Sequence, residues 1–147
     1  MRHLDRTAVT APACLSRFSS GTHHWDDLSW DDREQIRAQL GILQRRCCAY
    51  CECDIEKESK EPHVEHFIQR RRAAHLIFDW HNLFWSCSHD DRCGKNKDKP
   101  ATAYADQDLL KPDVDDPRRF LVFLSDGCVR PRVGLSAAER RRAETTI

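Results

Sequence analysis

Four cysteines in two separated pairs constrain the fold of this chain more than any other feature of its sequence. Cys48 and Cys51 form a C-x-x-C pair, whereas Cys87 and Cys93 lie further along and bracket a polar loop. Two thiolates at the C-x-x-C spacing can bind one ion in a tight turn, and four thiolates complete a closed tetrahedral zinc site. The pairs therefore predict that a structural Zn²⁺ joins two distant segments.

The composition favours this metal-stabilised arrangement. With 147 residues, 39% of them hydrophobic and 33% charged, the chain can bury only a modest core. Its N-terminal stretch has no apolar run long enough for a signal peptide or a membrane span, which predicts a cytoplasmic protein without a membrane partner. In a reducing compartment, closely spaced cysteines are metal ligands more often than disulfides.

Other potential ligands leave alternatives open. His89 lies between the cysteines of the second pair and can replace one of them as a ligand. A metal-free interpretation is that all these cysteines are simply reduced and buried. Four further cysteines are interpreted as non-ligands, and these are Cys14, Cys47, Cys53 and Cys128.

The hydrophobic pattern predicts a mixed α+β fold. A helix is expected from about 30 to 45, because Ser29 and Asp32 have the spacing of a capping box and apolar residues recur at helical intervals. Residues 63–69 and 82–86 are typical of short strands. A short helix is predicted in the linker between these strands, at about residues 71 to 78.

The remaining elements are predicted from weaker signals. The charged stretch 54–62 is expected to form an exposed loop. The sequence after Cys93 predicts a helix that Pro100 would disturb. Residues 119–124 indicate a strand that turns at Asp126-Gly127, and residues 136–145 indicate a helix with an acidic residue at its third position.

A constellation between the two cysteine pairs carries the predicted chemistry. Glu65 and His66 lie in the first predicted strand, and Asn82 opens the second. A neutral imidazole can take a proton from water, and the adjacent carboxylate can hold a divalent cation that neutralises charge on a scissile phosphate. The Asn82 amide can hold the histidine-bearing loop in place. His63, on the strand face of Glu65, is either a ligand or a close neighbour of that metal, or an ordinary partly buried histidine.

The charge balance gives no global sign of nucleic-acid binding, because 24 basic residues equal 24 acidic ones. Local clusters must supply phosphate contacts, although such clusters are more often simply solvated. The predicted nucleic-acid-binding residues are Arg70, Arg71, Arg72, Lys95 and Lys97, and further basic residues are Lys99 and those at 140–142.

The ordered set of residues resembles the HNH nuclease family. That family has a C-x-x-C pair, an acidic residue followed by His, an Asn before a Leu, and a second cysteine pair followed by a basic helix. The matching elements, between about residues 28 and 99, are Cys48-Ala-Tyr-Cys51, Glu65-His66, Asn82-Leu83, and Cys87 and Cys93 with Lys97.

Within that family the chain is similar to the HNH subunit of Septu-type bacterial anti-phage systems, which is also found with some retrons. This resemblance implies an endonuclease that favours DNA, acts as the effector of a defence system and works with an ABC-type ATPase encoded beside it. The residues that carry it are Ile36-Arg37, Leu40, Gln44, Cys48-Ala-Tyr-Cys51-Glu52, His63-Val-Glu65-His66-Phe67 and Trp80-His-Asn82-Leu83.

The resemblance also implies a ββα-metal core and a role for each site residue. His66 is the general base, Glu65 binds a catalytic Mg²⁺ or Mn²⁺, and Asn82 is the middle asparagine of the motif. A His or Asn usually follows the last cysteine directly, but this chain has Gly94 there. Asn96, or water, is then expected to supply the missing ligand.

The predicted organisation has three parts. Residues 1–27 form an irregular arm that is not expected to pack as an element, residues 28–110 form the HNH core with its zinc knuckles, and residues 111–147 form a partner-facing strand and helix extension. The family usually continues further, so a short or truncated version is expected.

Two other functions use the same cysteines. One is a non-catalytic zinc ribbon that binds nucleic acid or protein. The other is a redox or metal-transfer protein that works through the thiols at positions 47, 48, 51 and 53. The latter leaves Glu65, His66 and Asn82 without a role.

Overall fold

The structure, a computed structural model, describes residues 1–58, 62–99 and 104–147 of the chain. Within them it contains both helices and antiparallel strands, as the α+β prediction requires. The helices are α1 (Trp30–Gln44), α2 (Ile55–Glu58), α3 (Cys93–Lys97) and α4 (Ala137–Thr146). The strands are β1 (His63–His66), β2 (Leu83–Ser86), β3 (Leu121–Phe123) and β4 (Val129–Pro131).

Helix α1 begins at the predicted capping box. The Ser29 hydroxyl accepts a hydrogen bond from the Asp32 amide at 3.2 Å, and the Asp32 carboxylate accepts one from the Ser29 amide at 3.0 Å. The helix ends where Arg45 adopts the left-handed conformation, with φ of 52°. Ile36 and Leu40 are fully buried, which confirms the predicted helix, but Trp30, the first apolar residue of its predicted series, is 71% exposed.

Strands β1 and β2 form an antiparallel pair in which His63 lies opposite Ser86 and His66 opposite Leu83. β1 is shorter than predicted, because the chain leaves the ladder at Phe67 and enters a loop. In that loop two 3₁₀ turns, Ala74–Leu76 and Trp80–Asn82, take the place of the predicted short helix.

The Gln44 side chain pairs with the outer edge of β2. Its Oε1 accepts a hydrogen bond from the Trp85 amide at 2.7 Å, and its Nε2 donates to the Trp85 carbonyl at 2.8 Å. The same Nε2 donates to the Cys47 carbonyl at 2.8 Å. Gln44 thus joins the end of α1, the sheet edge and the cysteine-containing turn.

The predicted loop at 54–62 differs from the structure, because residues 55–58 form α2. The Asp54 carboxylate accepts hydrogen bonds from the amides of Glu56 and Lys57, and Ile55 is fully buried. A capping side chain and one buried apolar residue therefore outweigh the charged composition of this stretch. The rest of that predicted loop, at 59–61, and the predicted effect of Pro100 lie outside the described residues.

The N-terminal arm is irregular, as predicted, but it packs against the core. Leu4 and Leu15 of the arm are buried in the core. Arg6 explains this packing, because its guanidinium donates to the Asp113 carboxylate and, at 2.7 Å, to the Leu83 carbonyl. These contacts tie the arm to β2 and to the C-terminal segment.

Residues after 104 form a second, smaller core. Strands β3 and β4 pair in an antiparallel hairpin, and α4 begins at a capping box between Ser136 and Glu139, as predicted. This core consists of Leu110, Phe120, Leu121 and Ala143. None of the helices in the described part of the chain has the length and apolar character needed to cross a membrane.

Candidate functional site

Four cysteine sulfurs converge between the turn after α1, the end of β2 and the start of α3. The sulfurs of this cluster lie within 4.8 Å of one another, and those of Cys51 and Cys87 are 3.9 Å apart. A tetrahedral zinc ion with bonds of about 2.3 Å holds its sulfurs about 3.8 Å apart. The cluster therefore fits the predicted structural zinc, and its members are Cys48, Cys51, Cys87 and Cys93.

Backbone and side-chain contacts prepare this cluster for a metal. The Cys87 amide donates to the Cys48 sulfur at 3.4 Å. Hydrogen bonds from the thiols of Cys51 and Cys93 lower the pKa of Cys48 far below its usual range. Thiolate is the form that binds metal, so the buried Cys48 is suited to be a ligand.

The other thiols do not join the cluster. Cys53 is outside the metal-binding group found among the described residues. Cys47 and His89 are likewise not members of the metal-binding group found among the described residues. The group that could hold a metal therefore consists of the four predicted cysteines, and His89 does not belong to it.

His66, at the end of β1, is buried and held in one orientation. Its Nε2 lies 3.0 Å from the Ile77 carbonyl oxygen, and its ring makes an edge-to-face contact with Trp25 at 4.5 Å between centroids. A carbonyl can only accept, so Nε2 carries the proton and Nδ1 keeps a lone pair in the neutral ring. Burial lowers the pKa of His66 to about 4, which keeps the ring neutral near pH 7.

Asn82 closes the loop that follows His66. Its Oδ1 accepts from the Ile68 amide at 2.8 Å, and its Nδ2 donates to the carbonyls of Ile68 and Leu76 at 3.0 and 3.2 Å. These hydrogen bonds are of the loop-holding kind that the sequence predicts. They fix the segment whose Ile77 carbonyl orients His66.

Glu65 forms a buried ion pair with a residue that the sequence assigns elsewhere. Its Oε1 lies 2.8 Å from Lys97 Nζ, and both side chains are less than a tenth exposed. Lys97 also donates to the carbonyls of His66 and Phe67 at 3.3 and 3.1 Å. Burial lowers the pKa of Lys97, but the charges of Glu65 and Asp98 outweigh it and raise the pKa overall.

Gly94 occupies the position where the HNH pattern has its third residue. A Cβ at Gly94 would lie 2.5 Å from Glu65 Oε2 and 3.1 Å from Ser86 Oγ, so a side chain cannot be accommodated there without rearrangement. Asn96 lines a different cavity, of about 330 Å³, next to Cys51 and facing the C-terminal segment. The structure thus does not bring Asn96 to the cleft that His66 lines.

That cleft is open, has a volume of about 400 Å³ and carries three cationic side chains. Arg70, Lys95 and Lys99 are exposed along its lining, beside His66. Lys95 also lies 3.2 Å from Asp90 on the surface. A phosphate placed in the cleft would find positive charge near the imidazole.

The other predicted phosphate contacts lie elsewhere. Lys97 is buried in its ion pair with Glu65. Arg71 donates to the Gln69 side chain at 2.6 Å, and Arg72 pairs with Asp106 at 2.9 Å. Arg70 and Lys95 are therefore the members of the predicted set that line the cleft.

Sequence reasoning missed two supporting contacts. Trp25 packs on His66 from the arm that was not expected to pack, and no local pattern indicates this long-range contact. The burial of Lys97 had a signal, since Lys97 is four residues after Cys93 and such residues share a helix face. A lysine on the same helix face as a cysteine of the cluster points towards the interior of the protein.

Comparison with known proteins gives one relevant similarity. Over 86 residues the chain is 37% identical to the Septu protein PtuB of Bacillus thuringiensis. The aligned region covers 58% of this chain, and the chain spans 32% of the length of that curated relative. No protein-family model matches the chain.

Proposed function

We propose that the protein is a metal-dependent endonuclease of the HNH type that hydrolyses phosphodiester bonds, with DNA as the favoured substrate. The observation that carries this proposal is the state of His66, whose Nε2 is hydrogen-bonded to the Ile77 carbonyl and whose Nδ1 keeps its lone pair. Neutrality and fixed orientation are two requirements of a general base for water, and the imidazole beside the basic cleft meets both.

In this mechanism each residue has a separate task. His66 Nδ1 takes the proton of the attacking water, and Arg70, Lys95 and Lys99 offset the charge of the bound phosphates. Asn82 acts at a distance, because it holds the loop that orients the imidazole. It is a positioning residue in this mechanism.

Two kinds of metal are proposed. The four-cysteine cluster holds Zn²⁺ as a structural ion that joins the turn after α1 to α3. Mg²⁺ or Mn²⁺ is proposed next to Glu65, where it would supply charge neutralisation at the phosphate and the leaving oxygen. Glu65 fits this role through one oxygen, since Oε1 pairs with Lys97 while Oε2 is close to Gly94 in the cleft lining.

We further propose that the chain is the effector nuclease of a Septu-type anti-phage system in the cytoplasm. The similarity to the Septu protein PtuB supports this role. An ABC-type ATPase would be the partner that controls the nuclease. In this proposal residues 28–110 are the HNH core, residues 1–27 are its arm, and residues 111–147 face the partner.

The test is plasmid cleavage by the zinc-loaded chain with Mg²⁺ or Mn²⁺, alone and with the neighbouring ATPase. His66→Ala should lower the cleavage rate by about 10²- to 10⁴-fold, the usual contribution of a general base. His75→Ala is the matched control, because His75 is an exposed histidine outside the cleft lining. Equal rates for wild type and a zinc-loaded His66→Ala variant, or no cleavage in any condition, would instead favour the non-catalytic zinc ribbon.

A further inference from the structure

We propose that His63 and Glu65 bind the divalent cation together, so that His63 takes the part of the third HNH residue that Gly94 cannot play. This inference rests on the proposed nuclease function and assigns its metal ligands. It differs from the sequence-based expectation that Asn96 or water completes the site.

The two oxygens of Glu65 have different surroundings. Oε1 lies 2.8 Å from Lys97 Nζ and 3.4 Å from the Tyr50 hydroxyl, which donates to it. Oε2 lies 3.7 Å from His63 Nε2. The ammonium therefore anchors the carboxylate through one oxygen, and the other oxygen is directed to the imidazole of His63.

The gap between Oε2 and His63 Nε2 is too long for a direct hydrogen bond. At 3.7 Å it exceeds the usual N–H···O range of about 2.7 to 3.2 Å. Two ligand atoms at adjacent positions of an octahedral ion, each about 2.1 Å from it, are about 3.0 Å apart, so a side-chain shift of less than about 1 Å brings both donors to one ion. Positions 63 and 65 also share one face of β1, so no backbone change is needed to bring both donors to one ion.

One nitrogen of the His63 ring has no partner within the described part of the protein. Its Nδ1 is buried and has no hydrogen-bond partner among the described residues. The ring is a third exposed and lines the same cleft as His66. Water can therefore reach an ion at Nε2, and Mg²⁺ and Mn²⁺ sites commonly keep several water ligands.

Neighbouring side chains are less suited to complete the site. Any Cβ at position 94 collides with Oε2. The Asp98 carboxylate forms an ion pair with Lys97. Asn96 lines the other cavity. Among these groups, His63 is the one whose nitrogen adjoins Oε2.

A mixed imidazole and carboxylate pair has a consequence for metal preference. Imidazole is a better ligand for transition metals, whereas oxygen ligands suit Mg²⁺. The site should thus bind Mn²⁺ more tightly than Mg²⁺, and His63 should be the cause. Replacing His63 with an oxygen ligand should reduce that preference.

The test measures Mn²⁺ binding by electron paramagnetic resonance and Mg²⁺ binding by calorimetry, on the full, zinc-loaded chain without substrate. His63→Leu, which offers no ligand atom, should weaken Mn²⁺ binding by at least about 10-fold, since loss of even an outer-shell group costs that much, while His75→Leu should leave it unchanged. His63→Asp should bind a divalent cation again but with its preference shifted towards Mg²⁺. Zinc content and circular dichroism establish that each variant is folded.

Unchanged Mn²⁺ affinity in a folded His63→Leu variant would overturn the inference, as would a His63→Asp variant that keeps the wild-type preference. The nuclease proposal is tested separately by His66→Ala. If Mn²⁺ binding is weaker in His63→Leu but the wild-type chain never cleaves nucleic acid, the metal ligands are supported and the nuclease proposal is rejected. If cleavage depends on His66 but Mn²⁺ affinity does not change in the His63 variants, the nuclease proposal is supported and the metal ligands are rejected.

Discussion

The two cores of this molecule are stabilised by different means. Around the cysteine cluster, several buried polar side chains are held by specific partners, as with Gln44, Asn82 and the pair of Glu65 and Lys97. The smaller core after residue 104 is apolar inside, and its ion pairs, such as that of Arg142 with Asp115, lie at its margin.

This difference indicates where the chain is sensitive to change. Loss of one partner in the cysteine-centred core leaves a buried charge or an unsatisfied polar group, which is costly. Loss of a marginal contact in the smaller core leaves groups that water can solvate. The same kind of substitution should therefore cost more free energy in the first core than in the second.

Zinc removal should have the largest effect, and it should separate the two cores. Chelation, or Cys87→Ser, removes an ion whose binding contributes on the order of 10 kcal/mol in zinc-finger peptides. We expect amide protection measured by hydrogen exchange to fall first in β1 and β2, and less in β3 and β4. Cys128→Ser is the control, because that exposed thiol is outside the cluster. Equal loss of protection in both hairpins would show that the cores unfold as one unit.

Lys97→Met should have the next largest effect. It leaves the Glu65 carboxylate buried without its ammonium, a change that typically costs about 3 to 5 kcal/mol of unfolding free energy. Lys99→Met is a matched control with an exposed side chain and should change the stability by less than about 0.5 kcal/mol. Urea denaturation measures both.

A double variant distinguishes the ion pair from simple packing. If the unpaired charge causes the loss, Glu65→Gln should recover part of the stability in the Lys97→Met background. A double variant with the summed loss of its single variants would contradict this account.

Removing a helix cap should lower the free energy of unfolding least. The caps also allow the two cores to be compared through the same substitution. Ser29→Ala and Ser136→Ala remove the same capping hydroxyl from α1 and α4. Each should cost about 0.5 to 2 kcal/mol of unfolding free energy. We expect the larger value for Ser29, because its partner Asp32 is buried whereas Glu139 is not. If urea denaturation gives equal losses of unfolding free energy for both variants, burial of the capping partner does not add to the strength of the cap.

Local chemistry made much of the structure predictable. The Ser29 and Asp32 spacing predicted α1 because a capping box acts within one turn. The C-x-x-C spacing of Cys48 and Cys51 predicted half of the cysteine cluster for the same reason, since such a turn brings two sulfurs together by itself. The hydrogen bonds of Asn82 also follow from its place at the end of one loop.

Contacts between distant segments were not predictable in this way. Trp25 reaches His66 from the N-terminal arm, and Arg6 joins that arm to Asp113. Nothing near these residues in the sequence indicates their partners. The absence of a side chain at Gly94 likewise has its cause in the position of Glu65, on another element.

The hydrogen bonds between Gln44 and Trp85 constrain the length of α1. The 15 residues of that helix run from the Ser29 cap to a side chain that must meet both the amide and the carbonyl of one strand residue. One inserted residue would turn the end of the helix by about 100° and advance it by about 1.5 Å. Natural relatives that keep this contact should therefore vary in loop length but not in the number of residues between cap and glutamine.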